Sequence, residues 1–175
     1  MSVAQINKEE IEALLPEGIE NLYFTDSTYA MYRPRFLLED GYKSYSEWLN
    51  FAGIKSRTGL DFWRSNWDCD NLSFSYKTYM SMLHAKENLN TFSDKRRKNV
   101  ENTSDAESLA VGVIFYKIIK DYGKRGKSSS MHAINTAVTV NDKSSELEII
   151  YIEPKNGVKL KLTQEEEDSI WYANF

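Results

Sequence analysis

The chain has 175 residues, of which 41% are hydrophobic and 13% aromatic, so one folded domain is expected. Its net charge of −4 arises from 22 basic and 26 acidic residues mixed along the sequence, without the basic stripe that favours nucleic-acid binding. No apolar run approaches the roughly 20 residues of a membrane helix, and residues 1–10 lack a secretion signal. The composition therefore predicts a soluble, cytoplasmic protein that binds neither nucleic acid nor membrane.

The first third of the chain predicts two short helices. Asn7 and Glu10 form a capping-box pattern, and the apolar residues that follow predict a helix that ends before Pro16. A second helix is predicted over residues 46–52, since a glycine follows them. Residues 21–40 show no clear periodicity, and they receive no assignment.

The clearest helix signal begins at Asp68, whose side chain is suited to cap a helix N-terminus. Apolar residues then recur at steps of four, three and four, the period of a helix that buries one stripe. These residues are Leu72, Tyr76, Tyr79 and Leu83. Cys69 therefore lies in the first turn of the helix. Residues 87–107 are polar and charged, and they predict a mobile excursion.

The second half of the chain predicts an antiparallel β-sheet. Strands are predicted over residues 109–116, 131–140, 147–152 and 158–162. The sequence Lys155-Asn156-Gly157 is typical of a tight hairpin between the last two strands. A helical first part followed by a run of strands indicates an α+β fold in a single domain.

The chain contains one cysteine and two histidines, which allows each to be considered separately. A thiol attacks as the thiolate, and the start of a helix favours that anion, so Cys69 is a candidate nucleophile. A histidine can take the thiol proton, and a carboxylate can orient the histidine. His132 and Glu153 supply these groups. His84 lies about 22 Å from Cys69 along the same predicted helix, so it is assigned to the surface or the edge of the core.

Strand alternation predicts how His132 and Glu153 meet. We place Val138 opposite Leu147 in an antiparallel pair, because this register packs apolar side chains together. The same register places His132 opposite Glu153 at the open end of the pair. Each residue also has a structural explanation, since a lone cysteine is commonly a small buried apolar residue and Glu153 could simply end a strand before Pro154.

Four short motifs occur in order along the chain: Trp67-Asp68-Cys69-Asp70-Asn71, residues 109–116, His132-Ala133-Ile134-Asn135 and Ile152-Glu153-Pro154. Together they resemble the papain-like C-terminal domain of the Marasmius oreades agglutinin family. The resemblance covers about residues 60–175, the expected catalytic core of one papain-like domain that spans residues 1–175. Residues 1–59 form an N-terminal extension without a recognised counterpart.

The resemblance implies a cysteine protease with Cys69 as nucleophile, His132 as base and Glu153 where papain has an asparagine. It also implies a role for calcium, for which Asp68 and Asp70 are the candidate ligands, since calcium binds hard oxygen donors.

One feature of papain-like enzymes is missing, the glutamine a few residues before the cysteine that donates to the developing oxyanion. The glutamines of this chain are Gln5 and Gln164, which lie far from Cys69 in sequence. Other N–H groups must replace it. The candidate oxyanion donors are the side chains of Asn66, Trp63 and Trp67 and the backbone N–H of Cys69.

The predicted function is a cysteine hydrolase, a peptidase by preference, with a peptide or protein substrate. An acyltransferase of transglutaminase type would use the same three residues. A catalytically weak or inactive papain-fold interaction module is the remaining alternative, suggested by the missing glutamine. Selective alkylation of Cys69 at neutral pH separates an enzyme from an inert module, since a poised thiolate reacts and a buried thiol does not. The sequence gives no prediction of the oligomeric state.

Overall fold

The structure, a computed structural model, describes residues 2–54, 68–95 and 108–175. In these ranges the fold is α+β, with four α-helices beside one mixed sheet of nine strands. The helices are α1 (Lys8–Leu14), α2 (Gly41–Phe51), α3 (Cys69–Lys95) and α4 (Gln164–Glu167). The strands are β1 (Ser2–Asn7), β2 (Asn21–Tyr23), β3 (Thr28–Tyr32), β4 (Ser108–Leu109), β5 (Val111–Asp121), β6 (Lys127–Val140), β7 (Leu147–Glu153), β8 (Val158–Leu160) and β9 (Tyr172–Asn174).

The N-terminal helices follow the sequence signals closely. The side chain of Asn7 accepts a hydrogen bond from the Glu10 backbone N–H at 2.8 Å, and the Glu10 carboxylate accepts one from the Asn7 N–H at 3.0 Å. The predicted capping box at α1 is therefore confirmed. Helix α2 begins before residue 46, at Gly41, because it continues from a π-helical turn over Phe36–Asp40.

The strands β5 to β8 of the C-terminal half pair antiparallel, as predicted, but the N-terminal part, predicted to be helical, also contributes β1, β2 and β3, and the sheet as a whole is mixed. Its main path has the strand order β1-β3-β6-β5-β9-β2, with β4 beside β3 and with β7 and β8 beyond β6. Strand β3 runs parallel to β4 and β6, and β2 runs parallel to β9. These parallel pairs join strands that are distant in sequence, and alternation within a strand carries no signal for its partner.

Helix α3 carries the predicted apolar stripe. Tyr76 is fully buried, and Leu72, Tyr79 and Leu83 pack against the same core cluster. The helix continues to Lys95, so the mobile excursion predicted over residues 87–107 was wrong for residues 87–95, which are helical. Charged residues such as lysine and glutamate favour helices, and their polarity alone does not end one. The rest of that predicted excursion, residues 96–107, lies outside the described ranges.

The sheet separates two apolar clusters, because successive side chains of β5 and β6 point to opposite faces. The face covered by α2 and α3 packs Leu37, Tyr45, Leu49, Tyr76, Met80 and Ala137 together. The other face packs Ile6, Ile11, Ile114, Ile134, Val138 and Phe175 together. Among the helices of the described ranges, none is long and apolar enough to cross a membrane.

His84 is buried, with 4% of its surface exposed, which excludes the surface and leaves the core, the second of its two predicted locations. Its Nδ1 lies 3.2 Å from the hydroxyl oxygen of Tyr32, and this hydroxyl also donates to Glu87 at 2.7 Å. A buried polar ring needs such partners, because an unsatisfied polar group in the core is costly. His84 is therefore part of the packing between α3 and β3.

Candidate active site

Cys69 is the first residue of α3, and its side chain is partly exposed. The Asp68 backbone carbonyl accepts the Leu72 N–H at 3.1 Å, while the Asp68 carboxylate accepts a hydrogen bond from the Asn71 side chain at 3.1 Å. One turn later, the Ser73 hydroxyl donates to the Cys69 carbonyl at 2.7 Å. The first turn is thus well ordered, and the helix dipole favours negative charge at this end.

His132 of β6 and Glu153 of β7 form a direct side-chain pair. The Nε2 atom of His132 lies 3.0 Å from Oε2 of Glu153, and the two side chains are only 15% and 14% exposed. The other carboxylate oxygen accepts the Lys155 backbone N–H at 3.2 Å. Because Glu153 occupies Nε2, the Nδ1 atom is the imidazole nitrogen that remains for a second partner.

The register that led us to this pair was wrong by two residues. Val138 lies opposite Ile149, whereas the sequence placed it opposite Leu147. The paired part of β6 and β7 begins at Asn135 and Ile152, so His132 lies beyond the ladder and reaches Glu153 diagonally. A shift of two residues preserves the face on which each side chain lies, and long polar side chains can span such a diagonal.

The electrostatics of Glu153 follow from its partners. Burial raises the pKa of the Glu153 carboxyl, but the hydrogen bonds from His132 and from the Lys155 backbone, with their charges, outweigh burial. The net result is a pKa below the ordinary value of a glutamate. Glu153 is therefore ionised in the neutral range and stabilises an N–H donor on the imidazole.

This lowered pKa predicts a pH-dependent contribution to stability. A carboxyl whose pKa falls on folding stabilises the protein above its unfolded pKa of about 4.3, and this contribution is lost as the pH falls through the folded value. We expect Glu153→Gln to lower the free energy of unfolding above about pH 5 and to approach the parent near pH 3. Urea unfolding at pH 7, 5 and 3 measures this difference.

The matched control is Glu148→Gln, which removes a partly exposed carboxylate of the same strand that pairs with Lys159 at 3.4 Å. Such a pair contributes little, about 0–1 kcal/mol. A Glu153→Gln difference that stays constant from pH 7 to 3 would contradict the linkage.

Tyr116 of β5 lies directly beside the His132–Glu153 pair. It is the cross-strand neighbour of His132, and the two rings meet edge to face with centroids 5.9 Å apart. Burial raises the pKa of the Tyr116 hydroxyl, and Glu166, Glu153 and Cys69 act in the same direction. The hydroxyl is therefore neutral near pH 7. It is close enough to Glu153 and to the Cys69 thiol for their charges to affect its pKa. Sequence reasoning missed Tyr116, although pairing the two predicted strands around residues 116 and 132 could have identified it.

Cys69 begins α3, and His132 lies on β6. Asn135 of β6 donates to α3, whereas alternation places His132, three residues earlier, on the other face of the strand and before the first paired residue of the β6–β7 ladder. Between these two described residues the structure contains no hydrogen bond that joins the sulfur to the imidazole. An approach of the two groups to within about 4 Å stays a prediction.

The other candidate residues of the site are the oxyanion donors and the calcium ligands. Asn66, Trp63 and Trp67, the candidate oxyanion donors, lie outside the described ranges. Within those ranges no group of three or more Asp, Glu, His or Cys side chains is arranged to hold a metal ion. Calcium binding by Asp68 and Asp70 therefore stays a prediction, and no step proposed below uses calcium.

The whole chain is similar to a solved structure entitled "PSL1a-E64 complex", with a TM-score of 0.57. The alignment has 16% sequence identity and covers 98% of this chain and 51% of that chain. The fold is similar to that of this papain-like protein. This chain spans about half the length of its structural neighbour, and at this identity the similarity establishes the fold alone. No family model matches the chain, and no curated protein does.

Proposed function

We propose that this chain is a cysteine hydrolase that cleaves peptide bonds, with Cys69 as nucleophile, His132 as base and Glu153 as the residue that orients the base. The observation that carries the proposal is the part-buried His132–Glu153 hydrogen bond of 3.0 Å. A carboxylate fixed on one imidazole nitrogen prepares the other nitrogen to exchange a proton. Cys69 at the start of α3 supplies the thiol for that exchange.

The proposed reaction proceeds in two halves. The thiol proton moves to Nδ1 of His132, and the thiolate attacks the carbonyl carbon of the substrate to form a tetrahedral intermediate. The intermediate collapses, the imidazolium protonates the leaving amine, and a thioester on Cys69 remains. Water then attacks the thioester with His132 as base, which releases the acid and restores the thiol. Glu153 stays ionised throughout and stabilises the imidazolium.

The structural neighbour supports the proposed substrate class. That protein is in a complex with the inhibitor E64, which is consistent with a peptide-like ligand. A thiol at a helix start, with a histidine as its base, is suited to reaction with such a ligand. We extend a peptide-like ligand to this chain as part of the proposal.

Alkylation of the native protein tests the proposal. We expect E-64 and iodoacetamide to label Cys69 at pH 7, located by peptide mass spectrometry, with His132→Ala at least about tenfold slower. An unfolded protein such as reduced casein should be cleaved by the parent and not by Cys69→Ala. Repeating the cleavage with an added primary amine separates hydrolysis from acyl transfer, because only a transferase incorporates the amine into the product.

The control for labelling is the same protein in urea. A thiol that is unreactive in the native state but is labelled after unfolding would overturn the proposal, because Cys69 would then be an inert buried residue. An intact papain-like fold with neither labelling nor cleavage would favour the interaction module.

A further inference from the structure

Asn135 connects the two elements that carry the proposed nucleophile and base. Its side chain is fully buried, and its Nδ2 donates to the Ser73 carbonyl of α3 at 2.9 Å and to the Gly112 carbonyl of β5 at 3.1 Å. Ser73 is also fully buried, and its hydroxyl donates to the Cys69 carbonyl. A continuous path of hydrogen bonds thus joins the first turn of α3 to β5 and β6.

The amide of Asn135 carries a free-energy cost in this buried position. Its Oδ1 atom is buried and accepts no hydrogen bond from the described residues. An acceptor left in this state costs about 1–3 kcal/mol, and an apolar side chain of similar size would avoid that cost. The amino group must therefore contribute something that leucine at this position could not supply, namely two donors directed at the backbones of two different elements.

We infer that Asn135 is a positioning residue that sets the distance between Cys69 and His132; this inference rests on the proposed function. His132 lies three residues before Asn135 on the same strand. The position of Asn135 therefore determines where the backbone of His132 lies, and with it the imidazole. Its bond to Ser73 determines where the first turn of α3 lies relative to that strand. Loss of the two donors frees α3 to shift by a fraction of an ångström or more, which separates thiol from base.

The test is Asn135→Leu, which keeps approximate size and removes both donors. We expect kcat on a peptide substrate to fall roughly 10- to 100-fold with little change in KM, because misplacement of about 1 Å costs that much. The rate at which iodoacetamide alkylates Cys69 at pH 7 should also fall, because the base that takes the thiol proton is displaced. Circular dichroism and urea unfolding report whether the variant is folded.

The matched control is Thr136→Val, at the next position of β6. Thr136 is also fully buried, and its hydroxyl has no hydrogen-bond partner among the described residues. Its replacement should leave kcat and the alkylation rate unchanged and stability equal or higher. Should Asn135→Leu not fold, Asn135→Ser keeps one short donor and is expected to give a smaller effect in the same direction.

The outcomes separate the two proposals. Normal kcat and a normal alkylation rate in a folded Asn135→Leu or Asn135→Ser, with the parent active, would overturn the positioning role and leave the proposed function standing. A parent that is neither labelled nor active would overturn the proposed function itself. A loss of stability alone, without a change in either readout, would show that Asn135 is only structural.

Discussion

Glu153→Ala should lower turnover at least about tenfold and up to about 10⁴-fold, while Cys69 stays open to alkylation. The carboxylate accepts the hydrogen bond from Nε2 of His132 at 3.0 Å, and without it the imidazole has no fixed orientation. The Cys69 thiol remains in place at the start of α3, so the variant loses only the orientation of the proposed base, His132. The measurement is turnover of a cleavable peptide, with alkylation followed in parallel.

Two further variants make this prediction specific. Glu153→Gln should retain part of the activity, because an amide oxygen still accepts a hydrogen bond from the imidazole but stabilises its cation less. Glu148→Ala is the control, since alternation along β7 places its side chain on the opposite face. Equal turnover in the parent and all three variants, with the fold intact, would show that Glu153 only ends a strand.

Gly157→Ala is expected to lower the free energy of unfolding by roughly 2–5 kcal/mol, the sum of backbone strain and overpacking. Gly157 has a φ of +71°, and a Cβ atom there would overlap with Cγ of Tyr42. The Tyr42 ring cannot easily withdraw, because its hydroxyl donates to the Lys155 carbonyl at 2.7 Å. The Gly157 N–H donates to the Glu153 carbonyl at 2.8 Å, so turnover should fall together with stability.

The control for Gly157→Ala is Gly18→Ala, where φ is +83° and a new Cβ would meet nothing within 4 Å. This variant reports the cost of the backbone conformation alone, about 1–2 kcal/mol. Urea unfolding of both variants and of the double variant Tyr42→Ala/Gly157→Ala measures the steric part, which the double variant should relieve. Equal losses at Gly157 and Gly18 would contradict the contact with Tyr42.

Local signals in the sequence predicted the elements that carry the site. The capping box at Asn7 and Glu10 marks α1, and the apolar stripe after Cys69 marks α3. The pairing of His132 with Glu153 followed from the parity of two strands, and this contact is present. Each of these inferences depends on residues that are near in sequence or on a face that alternation determines.

The errors arose where a local sequence pattern does not specify the partner of a strand or side chain. From Ala133 to Thr139 every residue of β6 is buried, so apolar side chains line both faces and alternation does not distinguish registers that differ by two residues. The short strands β2 and β9 pair through contacts across almost the whole chain, which no local pattern specifies. The sequence identified Asn135 only as part of a motif and did not predict its hydrogen bonds, because its two partners are backbone carbonyls of distant residues.

The position of β9 has a consequence for synthesis on the ribosome. This strand, Tyr172–Asn174, lies between β5 and β2, so an emerging chain cannot attach β2 to the sheet until residues 172–174 have been made. Lys77 of α3 also donates to the Asn174 backbone carbonyl at 3.2 Å, which connects the helix that begins at Cys69 to the same strand. Non-local closure of this kind is slow, because loop entropy is lost before contacts are gained. The sheet beside α3 is therefore completed only after residues 172–174 have left the exit tunnel.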